Sequence, residues 1–182
     1  YRVARIGTQF WMAENLNWAG DDGNLGWCYG NESGNCDVYG RLYDWSMVMG
    51  FTTTCNFTLC ADQVQSRHQG ICPDGWHVPS DAEWTILVNF VGASTAGTQL
   101  KAASPQWNGT DAHGFSALPG GRRWSNDFGN VGSDGYWWSA TEFNMTDAWL
   151  RNMDSINSNV GTYSNGKFSL GFSLRCAQDY AP

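Results

Sequence analysis

Basic charge is scarce in this 182-residue chain. It has two lysines, and its ten Lys and Arg residues face 17 Asp and Glu, a formal net charge of −7. A nucleic-acid binder presents a basic face to phosphates, so that class is excluded. No apolar run approaches the ~20 residues that span a bilayer. No signal peptide precedes the strand-like opening YRVARIG, so the chain reads as the mature part, or an excised domain, of something longer. There is no C-x-x-C knuckle and no H-E-x-x-H, which leaves zinc without ligands at the usual spacing. The three histidines, His68, His77 and His113, are widely separated, and His77 reads as a buried hydrogen-bonding residue. No carboxylate pair can be argued for glycoside hydrolysis.

What is abundant is glycine (22), tryptophan (11) and paired cysteine. Such a composition suits a loop-rich single domain over residues 1–182, in which aromatic rings fill the gaps between short strands. Six cysteines permit 15 pairings. Cys28 and Cys36 flank a Gly/Asn/Ser-rich turn and could staple a hairpin, and Cys55 and Cys60 bracket a short insertion. That leaves Cys72 with Cys176, closing a loop of roughly 100 residues worth about 4–5 kcal/mol. Six reduced, buried thiols are the alternative. Three disulfides would place the chain in an oxidising compartment, secreted or at a cell surface.

The strongest local signal is CPDGWHVPSDAEW, residues 72–84. Ser80 and Glu83 form an S-x-x-E capping box, and Asp81 and Glu83 put negative charge at the positive end of the helix dipole. Trp84, Leu87, Val88 and Val91 then recur at helical spacing until Gly92, which predicts a helix over 81–91. Residues 1–13 read as two short strands joined at Gly7-Thr8, with Val3, Ile6, Trp11 and Met12 in the core. Leu42, Trp45, Val48 and Met49 predict a first helix within 40–49, ended by Gly50. The run Asp21-Asp22-Gly23-Asn24 has the carboxylate density of a calcium loop without its full spacing, so calcium is a possible ligand and no other cofactor is implied. Residues 51–71 read as a surface insertion. A short helical turn is expected near 98–102. From 107 onward, strands are expected at 115–118, 136–141, 147–153, 158–163 and 168–176, an antiparallel meander with Asn-, Gly- and Ser-rich turns.

The blocks WMAENLN (11–17), GRLYDW (40–45), CPDGWHVPSDAEW, GFSALPGG (114–121), WWSATE (137–142) and GFSLRC (171–176) resemble, in order, those of the Fibrobacter succinogenes major paralogous domain, carried on secreted and surface proteins of bacteria. GWHVPSDAEW also resembles a block of the formylglycine-generating-enzyme superfamily. These resemblances imply an α+β, C-type-lectin-like fold: two helices, a small antiparallel sheet joining the termini and a second, loop-carrying strand meander. Formylglycine-generating enzymes use a close C-terminal cysteine pair, whereas only Cys176 lies in that half here. A catalytic role is therefore not expected. The C-terminal half further resembles the variable region of retroelement-diversified proteins, whose substitutions would fall on Asn144, Asp147, Leu150, Asn152, Asp154, Asn157, Asn159 and Tyr163.

The expected function is ligand binding or adhesion at a cell surface, through the face of residues 124–165. Asn, Ser, Tyr and Asp there are adaptable hydrogen-bonding residues suited to a protein ligand. A glycan ligand would instead stack, without calcium, on exposed tryptophans. Trp107, Trp124, Trp137 and Trp138 are the candidates, with Asn126 beside Trp124. Strand alternation sends one ring of the Trp137-Trp138 pair outward, and Trp138 is chosen as that ring. A formylglycine-generating-type enzyme is the third reading.

Overall fold

The computed structural model describes residues 1–104 and 106–179; residues 105 and 180–182 of the expected domain lie outside the described residues. The chain opens with β1 (Val3–Ile6) and β2 (Gln9–Met12), paired antiparallel about the Gly7-Thr8 turn as expected. Helix α1 (Ser33–Tyr39) and helix α2 (Trp45–Met49) follow, then β3 (Trp76–His77), helix α3 (Asp81–Val91) and helix α4 (Ala96–Leu100). The remainder is strand: β4 (Gly120–Trp124), β5 (Asp127–Val131), β6 (Asp134–Glu142), β7 (Asp147–Asp154), β8 (Gly161–Gly166), β9 (Leu170–Gly171) and β10 (Ala177–Gln178). The architecture is α+β with two sheets. One has the order β1-β2-β10-β3 and brings the two ends of the chain side by side; the other runs β5-β4-β6-β7-β8, with β9 added to β4.

Helix α3 forms where the capping box predicts it. The Ser80 hydroxyl accepts the Glu83 N–H, and the Glu83 carboxylate accepts the Ser80 N–H at 2.8 Å. Its buried face is Trp84, Leu87, Val88 and Val91. Helix α2 is shorter than expected. It starts at Trp45 because the Asp44 side chain caps it by accepting the Met47 N–H, and Leu42 lies before it in an extended bridge to Trp27. Gly50 ends α2 with φ 65°, a left-handed conformation that glycine adopts without strain.

Four expectations fail for identifiable reasons. Cys36 sits on α1, so the Cys28–Cys36 bridge staples a helix and not a hairpin. Val3 is 49% exposed because the outer face of β1 is uncovered. Of the strand expected at 115–118, only an isolated bridge from Ala117 to Lys101 forms, and the chain pairs instead at Gly120–Trp124. The stretch 168–176 likewise pairs in fragments, since Phe172 and Ser173 bridge Tyr43 and Trp137 between β9 and β10.

The core lies on both sides of the larger sheet. On one side Trp84, Leu87 and Val91 of α3 meet Trp11, Trp107, Phe115, Trp137 and Met153. On the other, Tyr43, Trp45, Val48, Trp138, Leu150 and Phe172 pack with Cys55, Cys60, Cys72 and Cys176 of two of the three disulfides. The bridges are Cys28–Cys36, Cys55–Cys60 and Cys72–Cys176, at sequence separations of 8, 5 and 104. Chain entropy ranks them. Replacing Cys72 and Cys176 by serine is expected to lower unfolding free energy by about 4–5 kcal/mol, and either local pair by roughly 2–3 kcal/mol, in urea titrations. Equal losses for all three pairs would contradict that ranking.

Candidate ligand-binding site

The residues expected to form one face are divided by the sheet. Trp138 is fully buried, as are Trp137 and Trp107. Alternation does send the two adjacent rings to opposite sides of β6, but both sides are covered: Trp137 packs under α3 and Trp138 against Phe172. Leu150 and Asn152 are withdrawn from the surface by the same double coverage; Asn152 Nδ2 donates to the Gly135 carbonyl at 3.2 Å. Asn144 and Asp147 stand at one end of β7, and Asp154, Asn157 and Asn159 at the other, about 23 Å away at strand rise. Several shape turns. Asn144 Oδ1 accepts the Thr146 and Asp147 N–H groups, and Asp154 Oδ1 accepts those of Ile156 and Asn157. Tyr163 is exposed on the edge strand β8. Trp124 is 61% exposed, with exposed Asn126 following it in the β4–β5 turn.

Asp21-Asp22-Gly23-Asn24 forms an exposed turn in which Asp22 Oδ1 accepts the Asn24 N–H. No group of three or more His, Cys, Asp or Glu side chains able to hold a metal occurs among the described residues.

Four segments converge at the Asn144 end of the sheet: the β4–β5 turn, the β6–β7 turn, the segment between β8 and β9, and the disulfide loop of residues 55–60. Lys167 holds them together. Its side chain has no exposed surface, and Nζ donates to Glu142 Oε1 at 2.6 Å and to the Thr58 carbonyl at 2.9 Å, above the Trp45 ring at 4.9 Å. Glu142, only 3% exposed in its side chain, also accepts the Cys60 N–H. Main-chain bonds complete the joint, Lys167 N–H to Thr146 O and Ser125 N–H to Ser169 O, both at 2.7 Å. The insertion expected over 51–71 is therefore part of this end, with Cys55, Asn56 and Cys60 buried beneath it. These segments expose apolar side chains among polar ones such as Asn126, Asn144 and Thr146. Phe57, Leu59, Phe143, Met145, Trp124 and Phe168 are each at least half exposed, and the Phe57 and Phe168 rings meet at 4.8 Å with their planes 45° apart.

Beside these tips lies a cleft of about 320 Å³ lined by Trp27, Asp44, Arg123, Ser125, Asn126, Phe168 and Ser169. The Arg123 guanidinium lies 3.9 Å from the Trp27 ring centre and donates to Asn126 Oδ1 at 3.2 Å. Burial lowers its pKa from the ordinary arginine value, against the opposing charge of Asp44. Sequence reasoning passed over Asp44, Arg123 and Lys167. Asp44 carried a signal, a helix-capping residue three before Met47; a lysine gives no warning that it will be buried.

A second polar cluster is structural. His77, 2% exposed, lies between Glu83 Oε1 at its Nε2 and Asp179 Oδ1 at its Nδ1, each at 2.7 Å, which ties the α3 cap to the end of β10. Burial works against the imidazolium, but the two carboxylates outweigh it and raise the His77 pKa above 6.5. Burial likewise opposes the Glu83 carboxylate, yet bonds from His77 and Ser80 hold its pKa below 4.5. The raised histidine contributes stability that is complete below its unfolded value of about 6.5 and is lost as pH rises through its folded pKa. The depressed glutamate contributes stability that is complete above about 4.5 and is lost as pH falls through its folded pKa. Urea midpoints should therefore decline as pH rises from 6.5, and His77→Gln should flatten that alkaline decline. A decline unchanged in the variant would assign it to other groups. For the loop end, Lys167→Met leaves Glu142 buried without its cation, and a loss of about 3–5 kcal/mol is expected in the same assay.

A family model for the Fibrobacter succinogenes major domain matches residues 4–178. No curated protein and no solved structure matches the chain. The match runs from β1 to β10 and so takes in the capped helix, both sheets and the loop end: the chain belongs to the Fibrobacter succinogenes major domain family.

Proposed function

We propose that this is a non-catalytic ligand-binding or adhesion domain of C-type-lectin-like fold, acting outside the cytoplasm, and that it binds through the loop end of the larger sheet. One observation carries the reading. Six large apolar side chains are held at least half exposed, on segments joined by the buried Lys167–Glu142 pair and by the Ser125–Ser169 main-chain bond. Exposing that much apolar surface in one place is unfavourable in water, and such patches mark interaction sites. A rigid support keeps the entropy cost of binding low.

The fold assignment rests on the sheet joining both chain ends, the second sheet with its loops at one end, and the Cys72–Cys176 bridge between the segment leading into β3 and the residue before β10. Three disulfides suit a secreted or surface protein, and no helix among the described residues is long and apolar enough to cross a membrane. The non-catalytic reading is supported by Cys176, which is bonded to Cys72 and so offers no thiol for formylglycine-type chemistry. A protein ligand read by a diversified surface would draw on Asn144, Asp147, Asn157, Asn159 and Tyr163, positions spread from one end of β7 to the other. A ligand seated on the aromatic tips needs one end only.

The test uses beads carrying the disulfide-intact domain on surfaces coated with mucin glycoprotein, plant polysaccharide or extracellular-matrix protein. Retention on at least one surface is expected. It should fall about tenfold in Phe57→Ala and Trp124→Ala, the cost of losing one interfacial aromatic, and stay unchanged in Phe90→Ala at the far side of α3. No retention on any coating, or equal loss in all three variants, would sink the proposal.

A further inference from the structure

We propose that the cleft walled by Trp27, Asp44, Arg123 and Phe168 is a subsite for one uncharged pyranose ring of a glycan. The inference rests on the loop end being the ligand-binding face, and it names the ligand chemistry there. Its strongest support is Asp44. The residue is 6% exposed and lines the cleft, and its Oδ1 accepts both the Ser46 hydroxyl and the Met47 N–H. Its second oxygen has no hydrogen-bond partner among the described residues, and it is not among the sealed unpartnered atoms. The residue as a whole is nearly out of water, so this oxygen takes its donor from what the cleft holds, water or a ligand hydroxyl.

Arg123 is its complement. Of the five N–H donors of a guanidinium, the structure engages one with Asn126, and Arg123 makes no ion pair among the described residues. The cleft therefore offers an unused acceptor and unused donors of opposite charge that act on each other through space without forming an ion pair. A carboxylate ligand would meet Asp44, and an ammonium ligand would meet Arg123. A hydroxyl suits both, because it donates and accepts at once. Two neighbouring hydroxyls on one ring can donate to Asp44 and accept from Arg123, while Ser125, Asn126 and Ser169 supply further polar contacts. The half-exposed Phe168 ring offers an apolar face to the C–H face of the sugar, while Trp27 holds the Arg123 guanidinium against its own ring. At about 320 Å³ the cleft is at the small end of ligand sites, which fits one ring with the rest of the chain crossing the exposed tips.

The experiment is a titration of the isotopically labelled, disulfide-intact domain with free glucose, galactose, mannose, xylose and N-acetylglucosamine, and with glucuronate and glucosamine as charged counterparts. The expected result is saturable binding of at least one neutral sugar, with a Kd on the order of 1 mM. Shifts should centre on the Trp27 indole N–H and the amides of residues 123–126 and 168–169. Asp44→Asn keeps a residue able to cap α2 and so preserves the fold; it and Arg123→Ala should each weaken binding about tenfold or more. Phe90→Ala, on the exposed face of α3 and away from the cleft, should change little. The proposal is overturned if no neutral sugar binds at about 100 mM, or if a charged counterpart binds tighter than every neutral one. Binding abolished by Trp124→Ala but not by Arg123→Ala would also overturn it. That last pattern moves the ligand to the tips and leaves the adhesion reading standing, whereas failed bead retention with intact sugar binding does the reverse.

Discussion

A positive charge with no exposed surface sits where the two ends of the chain meet. The Arg175 guanidinium donates to Asn15 Oδ1 and to the carbonyls of Phe115 and Ser116, with its central carbon 4.3 Å from the Phe115 ring centre. Complete burial lowers its pKa to about 9, despite the opposing charges of Asp111 and Glu14. Asn15 Oδ1 also accepts the Trp137 indole N–H at 2.8 Å, so one amide oxygen joins the N-terminal segment, the final segment and the central strand β6. Taking that charge out of water is costly unless every donor finds a partner. The geometry of Asn15, Phe115 and Ser116 is consequently tied to Arg175, and the Cys72–Cys176 bridge beside it holds the same segment covalently.

The same device recurs where the chain is irregular. Lys101, fully buried, donates to the Asp154 and Asn157 carbonyls and so shapes the β7–β8 turn. Arg151 reaches from β7 to the Asp81 carbonyl, the Asp81 carboxylate and the Thr85 hydroxyl at the start of α3. Lys167 gathers the loop end. Each buried cation donates to main-chain carbonyls that a loop-rich fold cannot pair within strands. A fold poor in long helices can in this way hold loops rigid enough to present a surface. The aromatic tips and the cleft beside them depend on this support, because neither Phe57 nor Phe168 has a regular element of its own to fix it.

Double coverage of the larger sheet has a further consequence. A sheet with one wet face shows clean apolar-polar alternation, whereas β6 reads Trp137, Trp138, Ser139, Ala140 with all four buried. The accessible parts of this sheet are therefore the ends of its strands, the edge strands β5 and β8, and the turns. At the far end, Asp154 and Asn157 are committed to shaping their own turn. At the near end, Asp44 and Arg123 retain unused hydrogen-bonding capacity next to apolar tips.

Local physics made much of the scaffold readable from residues alone. The capping box and helical spacing set α3 to its residues, the Gly7-Thr8 turn set the first hairpin, and the short spacings of four cysteines left Cys72 to Cys176 as a consequence. These features depend on neighbours within a few residues, or on elimination among very few partners. What lies on the other side of a strand is not local information. Alternation sends Trp137 and Trp138 in opposite directions, but only the tertiary arrangement covers both, and with them Leu150 and Asn152. Nor does sequence reveal that Lys167 is buried against Glu142, because a buried charge is tolerated only where distant segments bring its partner. The candidate site was accordingly half legible: Trp124 and Asn126 stood out as residues, whereas the cleft of Trp27, Asp44, Arg123 and Phe168 exists only once four segments remote in sequence are packed together.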